Sequence, residues 1–184
     1  MSFVNFITKS FTGVGSDNTP EGSLIRTGGK HVTKTITLSA NNTSANVNVF
    51  QLTGTVRVLS LNGEVLSATT LNNCTNVYFD LWDGTNSAVI TDSVGANMSG
   101  FGVGSFFLKD GDSTVDLHCI NNNQGRISEG STGNRIFQEF ILTQKISTNT
   151  YIRFNYTTTD EPINAQLKID ITYADIDSGN VTAV

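Results

Sequence analysis

Asn48-Val-Phe-Gln-Leu-Thr-Gly-Thr-Val-Arg-Val-Leu-Ser-Leu61, followed by Asn62-Gly63, is the stretch that decides how this chain folds. Phe50, Leu52, Val56 and Val58 recur at period two, with Gln51, Thr53, Thr55 and Arg57 between them. That alternation describes a strand with one face in a core and the other in water. Asn-Gly tolerates the positive φ of a type I′ turn, so the spacing predicts a hairpin that returns through Glu64 to Thr70. Two register flips interrupt the pattern, at Val49-Phe50 and at Val58-Leu59. Each moves the apolar set to the opposite face, which predicts a bulge and a bent strand.

Working outward, His31 to Ser39 alternates Val32, Lys34, Ile36 and Leu38 against Thr33, Thr35 and Thr37. Lys34 on the apolar side marks an edge or rim. Three further hairpins are expected. Residues 76–82 and 87–91 flank Asp83-Gly84; residues 105–109 and 114–120 flank Asp110-Gly111; residues 151–157 and 165–173 flank Asp160-Glu161-Pro162. Residues 135–144 fit a strand or a helix by pattern, and their strand neighbours favour a strand. No crossover helices are available for a parallel sheet. The expected fold is all-β: an antiparallel β-sandwich, jelly roll or related Greek key, over residues 31–184.

Composition agrees. Thr and Asn make up about a quarter of the 184 residues, charged residues only 15%, with 17 Gly and 2 Pro. Thr is stiff at Cβ and suits strands, whereas Asn suits turns. A net charge of −5 with scattered Lys and Arg argues against a nucleic-acid surface. No apolar run reaches membrane-spanning length, and the N-terminus lacks the basic region of a signal peptide. Residues 1–30 form an arm and loop in this reading. Phe3, Phe6, Ile7 and Phe11 share one side of a short helix there, either packed on the chain's own domain or docked on a partner.

The candidate chemistry is sparse. Asp110, Asp112, Ser113, Thr114 and Asp116 superficially suggest a calcium loop but lack its Gly and Glu positions, and a turn is the better reading. Gly95, Gly100, Gly102 and Gly104 precede a strand, so they read as a rim loop rather than a phosphate cradle. His31 and His118 are the sole histidines, too few for a metal centre, and no cofactor is expected. Cys74 and Cys119 read as reduced thiols. Six Asn-x-Ser/Thr sites (Asn41, Asn42, Asn73, Asn97, Asn155 and Asn180) follow from composition. Glu64, Glu129, Glu139 and Glu161 read as solvent or turn residues, although a β-sandwich hydrolase would draw its carboxylates from such positions. Tyr78 and Trp82 share a face opposite Phe79 and Leu81, as surface aromatics for a subunit contact or a sugar ring.

Asn48 to Val58, following Lys34-Thr-Ile-Thr-Leu-Ser-Ala, resembles a strand pattern of β-sandwich structural proteins in tailed-phage virions. In these a first strand and a polar linker lead into Val/Phe-x-Val/Leu-Thr-Gly-x-Val-x-Val. Val77-Tyr-Phe-Asp-Leu-Trp-Asp-Gly-Thr fits the same style, and the resemblance spans residues 31–120. It implies a non-enzymatic capsid decoration or accessory protein made in the host cytoplasm and residing in the virion. The implied partners are the major capsid protein or other virion proteins, with a homotrimer favoured. A tail or glycan-binding receptor module is the alternative. A docking role for Phe3, Phe6, Ile7 and Phe11 comes from the arm itself, which the resemblance does not cover.

Overall fold

The computed structural model describes residues 29–39, 43–67, 71, 74–93, 95–120, 139–159 and 165–184. These residues are all-β, without a helix. They form β1 (Lys30–Thr37), β2 (Thr43–Ser67), β3 (Cys74–Trp82), β4 (Ser87–Val89), β5 (Phe106–Leu108), β6 (His118–Ile120), β7 (Phe140–Thr143), β8 (Thr150–Thr158) and β9 (Gln166–Ala183). One antiparallel sheet connects them in the order β1-β9-β2-β8-β3-β4. In addition β5 and β7 pair with β2, and β6 pairs with β5. The arm residues Phe3, Phe6, Ile7 and Phe11 lie outside the described residues, as do Glu129 and Glu161.

The opening stretch is the spine of this sheet. β2 pairs with β8 over Thr43 to Leu52 and with β9 over Phe50 to Ser67. It also pairs with β7 over Thr55 to Val58 and with β5 over Asn62 to Glu64. Both expected register flips are present. The β8 ladder skips between Asn48 and Phe50, and the β9 ladder skips between Val58 and Ser60. Phe50, Leu52, Val56 and Val58 are fully buried, and after the second skip the buried set becomes Leu61 and Val65. The bulges thus keep the apolar side chains on the core while the strand turns.

The turn at Asn62-Gly63 does not occur. Both residues lie inside β2, with Gly63 opposite Phe107 on one side and Ile169 on the other. A Cβ on Gly63 would collide with the Phe107 ring and sit 2.7 Å from the Lys168 carbonyl oxygen. Glycine is needed here for close approach, and its φ is not in the left-handed region.

The left-handed glycine of this strand lies nine residues before Gly63. Gly54 has φ +61, and a Cβ there would stand 2.6 Å from the Asp177 oxygen and 2.9 Å from that of Ser178. Facing it, Ser178 (φ 49) and Gly179 carry a bulge in β9, where the register passes from Thr55↔Ser178 to Val56↔Asp175. Gln144 closes the site: its backbone N–H donates to the Gly54 oxygen (2.8 Å) and its side-chain oxygen accepts from the Gly54 N–H (3.1 Å). The Tyr173 hydroxyl fixes the β9 side, donating to Asn180 at 2.7 Å and accepting from the Val181 N–H at 3.2 Å. This fastened bulge lets β9 run on to Ala183, ten residues past the end expected at Tyr173.

Two of the three further hairpins hold. β3 and β4 pair across Asp83-Gly84, and β5 and β6 pair across a connection that begins at Lys109. The hairpin of β8 with β9 is overturned, because β2 lies between them in the sheet. Its turn residues, and residues 135–138 of the ambiguous segment, fall outside the described residues; Phe140–Thr143 is a strand, as expected. β1 forms an edge of the sheet, and Lys34 is half-buried there beside buried Ile36.

Every long strand feeds one apolar cluster, from Ile36 on β1 to Ile169 on β9 and Phe154 on β8. Its aromatic centre is Phe79, Phe107 and Phe154. Ring centroids there lie 5.4 Å apart for Phe79–Phe154, 5.7 Å for Phe107–Phe154 and 6.3 Å for Phe79–Phe107. Truncating any of them to Ala typically costs about 3–5 kcal/mol.

Candidate functional site

Strand alternation sends Phe79 and Phe154 into the core and leaves Tyr78, Asp80, Trp82, Tyr151 and Arg153 on the opposite face of β3 and β8. Cross-strand register lines them up: Asp80 stands beside Arg153, and Trp82 beside Tyr151. Tyr78 and Trp82 therefore share a face as expected. Both are half-buried rather than open.

Arg153 explains the cover on Trp82. Its guanidinium lies 4.2 Å from the indole centroid. The same group forms a fork to Asp80, with Nε to Oδ1 at 3.0 Å and Nη2 to Oδ2 at 2.5 Å. The Asp80 side chain is 2% exposed and that of Arg153 12%, so the pair is shielded from water. A planar guanidinium satisfies both contacts at once, bidentate to the carboxylate in its plane and stacked on indole through its face. One face of the Trp82 indole is thus taken by Arg153. Nothing local in the sequence marked Arg153, which is 73 residues from Asp80.

The other candidates resolve into structural roles. Asp112 is a turn residue: its Oδ1 accepts from the Thr114 hydroxyl (2.6 Å) and the Thr114 N–H (2.8 Å), which hold its carboxyl below the usual range. Asp83 does the same at the β3–β4 turn. The Lys145 ammonium at 2.7 Å and the N–H groups of Asn86 and Thr85 hold it well below the ordinary carboxylate range. Glu64 pairs with Lys168 at 3.0 Å, and Glu139 lies 3.8 Å from Arg57, so each faces a different cation. Gly95, Gly100 and Gly104 all have positive φ in the rim loop, which ends by pairing with β2 through Gly104 N–H to Val65 O at 2.9 Å. Among the described residues no group of three or more His, Cys, Asp and Glu is arranged to hold a metal.

His31 lies 3.3 Å from Asp170, and His118 Nδ1 lies 2.8 Å from Asp110. The second contact was hidden because Asp110 reads as a turn residue. Beside it Lys109 is 3% exposed, donates to the Gly111 carbonyl at 2.5 Å and covers the Phe140 ring at 4.9 Å. Burial lowers the pKa of its ammonium, against the opposing pull of Asp112 and Asp110. Cys74 and Cys119 are not joined in a disulfide, and burial pushes the Cys74 thiol up to about 12. Comparison of the chain with protein-family models, curated proteins and solved structures finds no match.

Proposed function

We propose that the chain is a non-enzymatic structural protein of a tailed-phage virion, an accessory protein that decorates the head by docking on the major capsid protein as a homotrimer. In this reading residues 31–184 form one antiparallel β-sandwich of jelly-roll or related Greek-key type, and residues 1–30 are an arm. The observation that carries it is the role of Asn48 to Val58, whose wording resembles virion strands. It is the central element of the sheet, bonded to β9, β8 and β7.

Two layers are supported by the aromatic cluster. Phe107 on β5 joins the sheet through the downstream half of β2, whereas Phe154 on β8 joins through the upstream half. Their rings nevertheless meet at 5.7 Å, a contact across a core and not along a ladder. Neutral side-chain pairs cover outer positions, among them Ser44 with Thr157 at 2.9 Å and Gln51 with Asn149 at 3.2 Å. Such surfaces carry little long-range repulsion between close-packed copies.

Docking falls to Phe3, Phe6, Ile7 and Phe11 of the arm. Deleting residues 1–13 is expected to leave a folded, soluble chain of unchanged strand content by circular dichroism that no longer co-sediments with phage heads. Full occupancy by the truncated chain would contradict the arm's role, and a monomer in light scattering would contradict the trimer. A receptor-binding tail module is the second reading, favoured by the cleft beside Tyr78 described next.

A further inference from the structure

The face that carries Tyr78 has a bulge at its upper end. The β3–β8 register jumps from Thr75 to Tyr78, and Asn76 takes φ 50. Val77 turns away from β8 and bridges to Ala96, with N–H to O distances of 3.1 and 3.2 Å in the two directions. Gly95 permits that approach, because a Cβ on it would collide with the Asn76 backbone. The start of the rim loop, Ser93, is thereby held beside the sheet as a wall.

A cleft of about 300 Å³ results, lined among others by Ser44, Asn46, Asn76, Tyr78, Asn155 and Thr157. Asn46, Asn155 and Tyr78 form one cross-strand row over β2, β8 and β3, and the Ser44–Thr157 hydroxyl pair forms the next. Asn155 is 6% exposed, and its amide nitrogen has no hydrogen-bond partner among the described residues. A buried donor left unmade costs about 1–3 kcal/mol and asks for a ligand, a water or a function. None of the lining residues is charged.

We infer that this cleft binds a neutral saccharide unit. A sugar hydroxyl accepts from the Asn155 amide, whose broad terminal torsion lets its N–H₂ turn to the cleft. Asn46 and the Ser44–Thr157 pair exchange hydrogen bonds with further hydroxyls, and the Tyr78 ring supports the C–H face of the sugar. The absence of charge among the lining residues selects against phosphorylated or acidic sugars, which would be desolvated without a partner. This site does not rest on the head assignment, and sugar binding there would favour the tail module over it.

The test is an amide NMR titration of the full chain with methyl glycosides of glucose, galactose and N-acetylglucosamine. Saturable shifts are expected at Asn76, Tyr78 and Asn155 for at least one of them, with a dissociation constant on the order of millimolar. Tyr78→Ala, at a half-buried position, should weaken binding about tenfold or more. Tyr151→Ala, on the same face but outside the cleft, should leave it unchanged. Asn155→Leu should abolish binding while the spectrum stays dispersed. Saturation by none of the three sugars would overturn the inference and leave Asn155 a water site, and equal binding by Tyr78→Ala would overturn it too.

Discussion

Gly54 and Gly63 lie on the same strand and do opposite jobs from those their neighbours suggest. Asn62-Gly63 has the chemistry of a tight turn, yet Gly63 is straight-through strand, bare of a side chain so that Phe107 can lie against it. Thr53-Gly54-Thr55 reads as plain strand, yet Gly54 holds φ +61 and packs backbone to backbone on the Ser178-Gly179 bulge. A glycine's role is set by what approaches it, and the obstacle differs: side chain and carbonyl at Gly63, backbone alone at Gly54.

That difference makes the first prediction the largest. Gly54→Ala has to bear a left-handed φ and push on the Asp177 and Ser178 carbonyls, which no rotamer change relieves. It should cost at least about 3 kcal/mol in denaturant unfolding. Gly63→Ala should cost about 1–3 kcal/mol, the usual range for overpacking. In a Phe107→Leu background part of that loss should vanish, because the ring is one of its two obstacles. A Gly63→Ala loss as large as that of Gly54→Ala, unrelieved by Phe107→Leu, would break the comparison.

Cys74 gives a pH dependence against which such variants are read. Its folded pKa, about 12, stands above the unfolded value near 9.0, so only the unfolded thiol ionises between them. The unfolded state then binds fewer protons, and stability must fall as pH rises through that window. The loss should be roughly 1 kcal/mol by pH 10, and Cys74→Ala should flatten that component of the curve. Of the three glycine variants Gly100→Ala should cost least. Gly100 has φ +78 but open space around the missing Cβ, so thermal unfolding should register only backbone strain, about 1 kcal/mol.

Much of the fold was legible because period two is a strong signal where one face is buried. Val32 and Ile36 marked β1, Phe79 against Tyr78 marked the faces of β3, and the flips at Val49-Phe50 and Val58-Leu59 located two of the register shifts of β2. What escaped depends on distant chain. Only the distant Phe107 ring and the β9 backbone at Lys168 distinguish Gly63 from a turn glycine. Asp175 to Gly179 look like the end of a strand until Tyr173 and Gly54 fasten them into a bulge. The insertion of β2 between β8 and β9 has no local mark, since a polar connection between two strands is equally compatible with a hairpin. The face of Tyr78 and Trp82 was readable, whereas the guanidinium that covers Trp82 and the unpaired amide of Asn155 were not. Strand alternation reports the side on which a residue stands, and says nothing of which neighbour across the ladder meets it.

The proposed place of the chain on a phage head is tested most directly by cryo-electron microscopy of heads with and without it. Three-fold knobs of added density are expected at ordered positions over the major capsid protein, lost when residues 1–13 are deleted. Identical head maps, or added density confined to the tail, would contradict it.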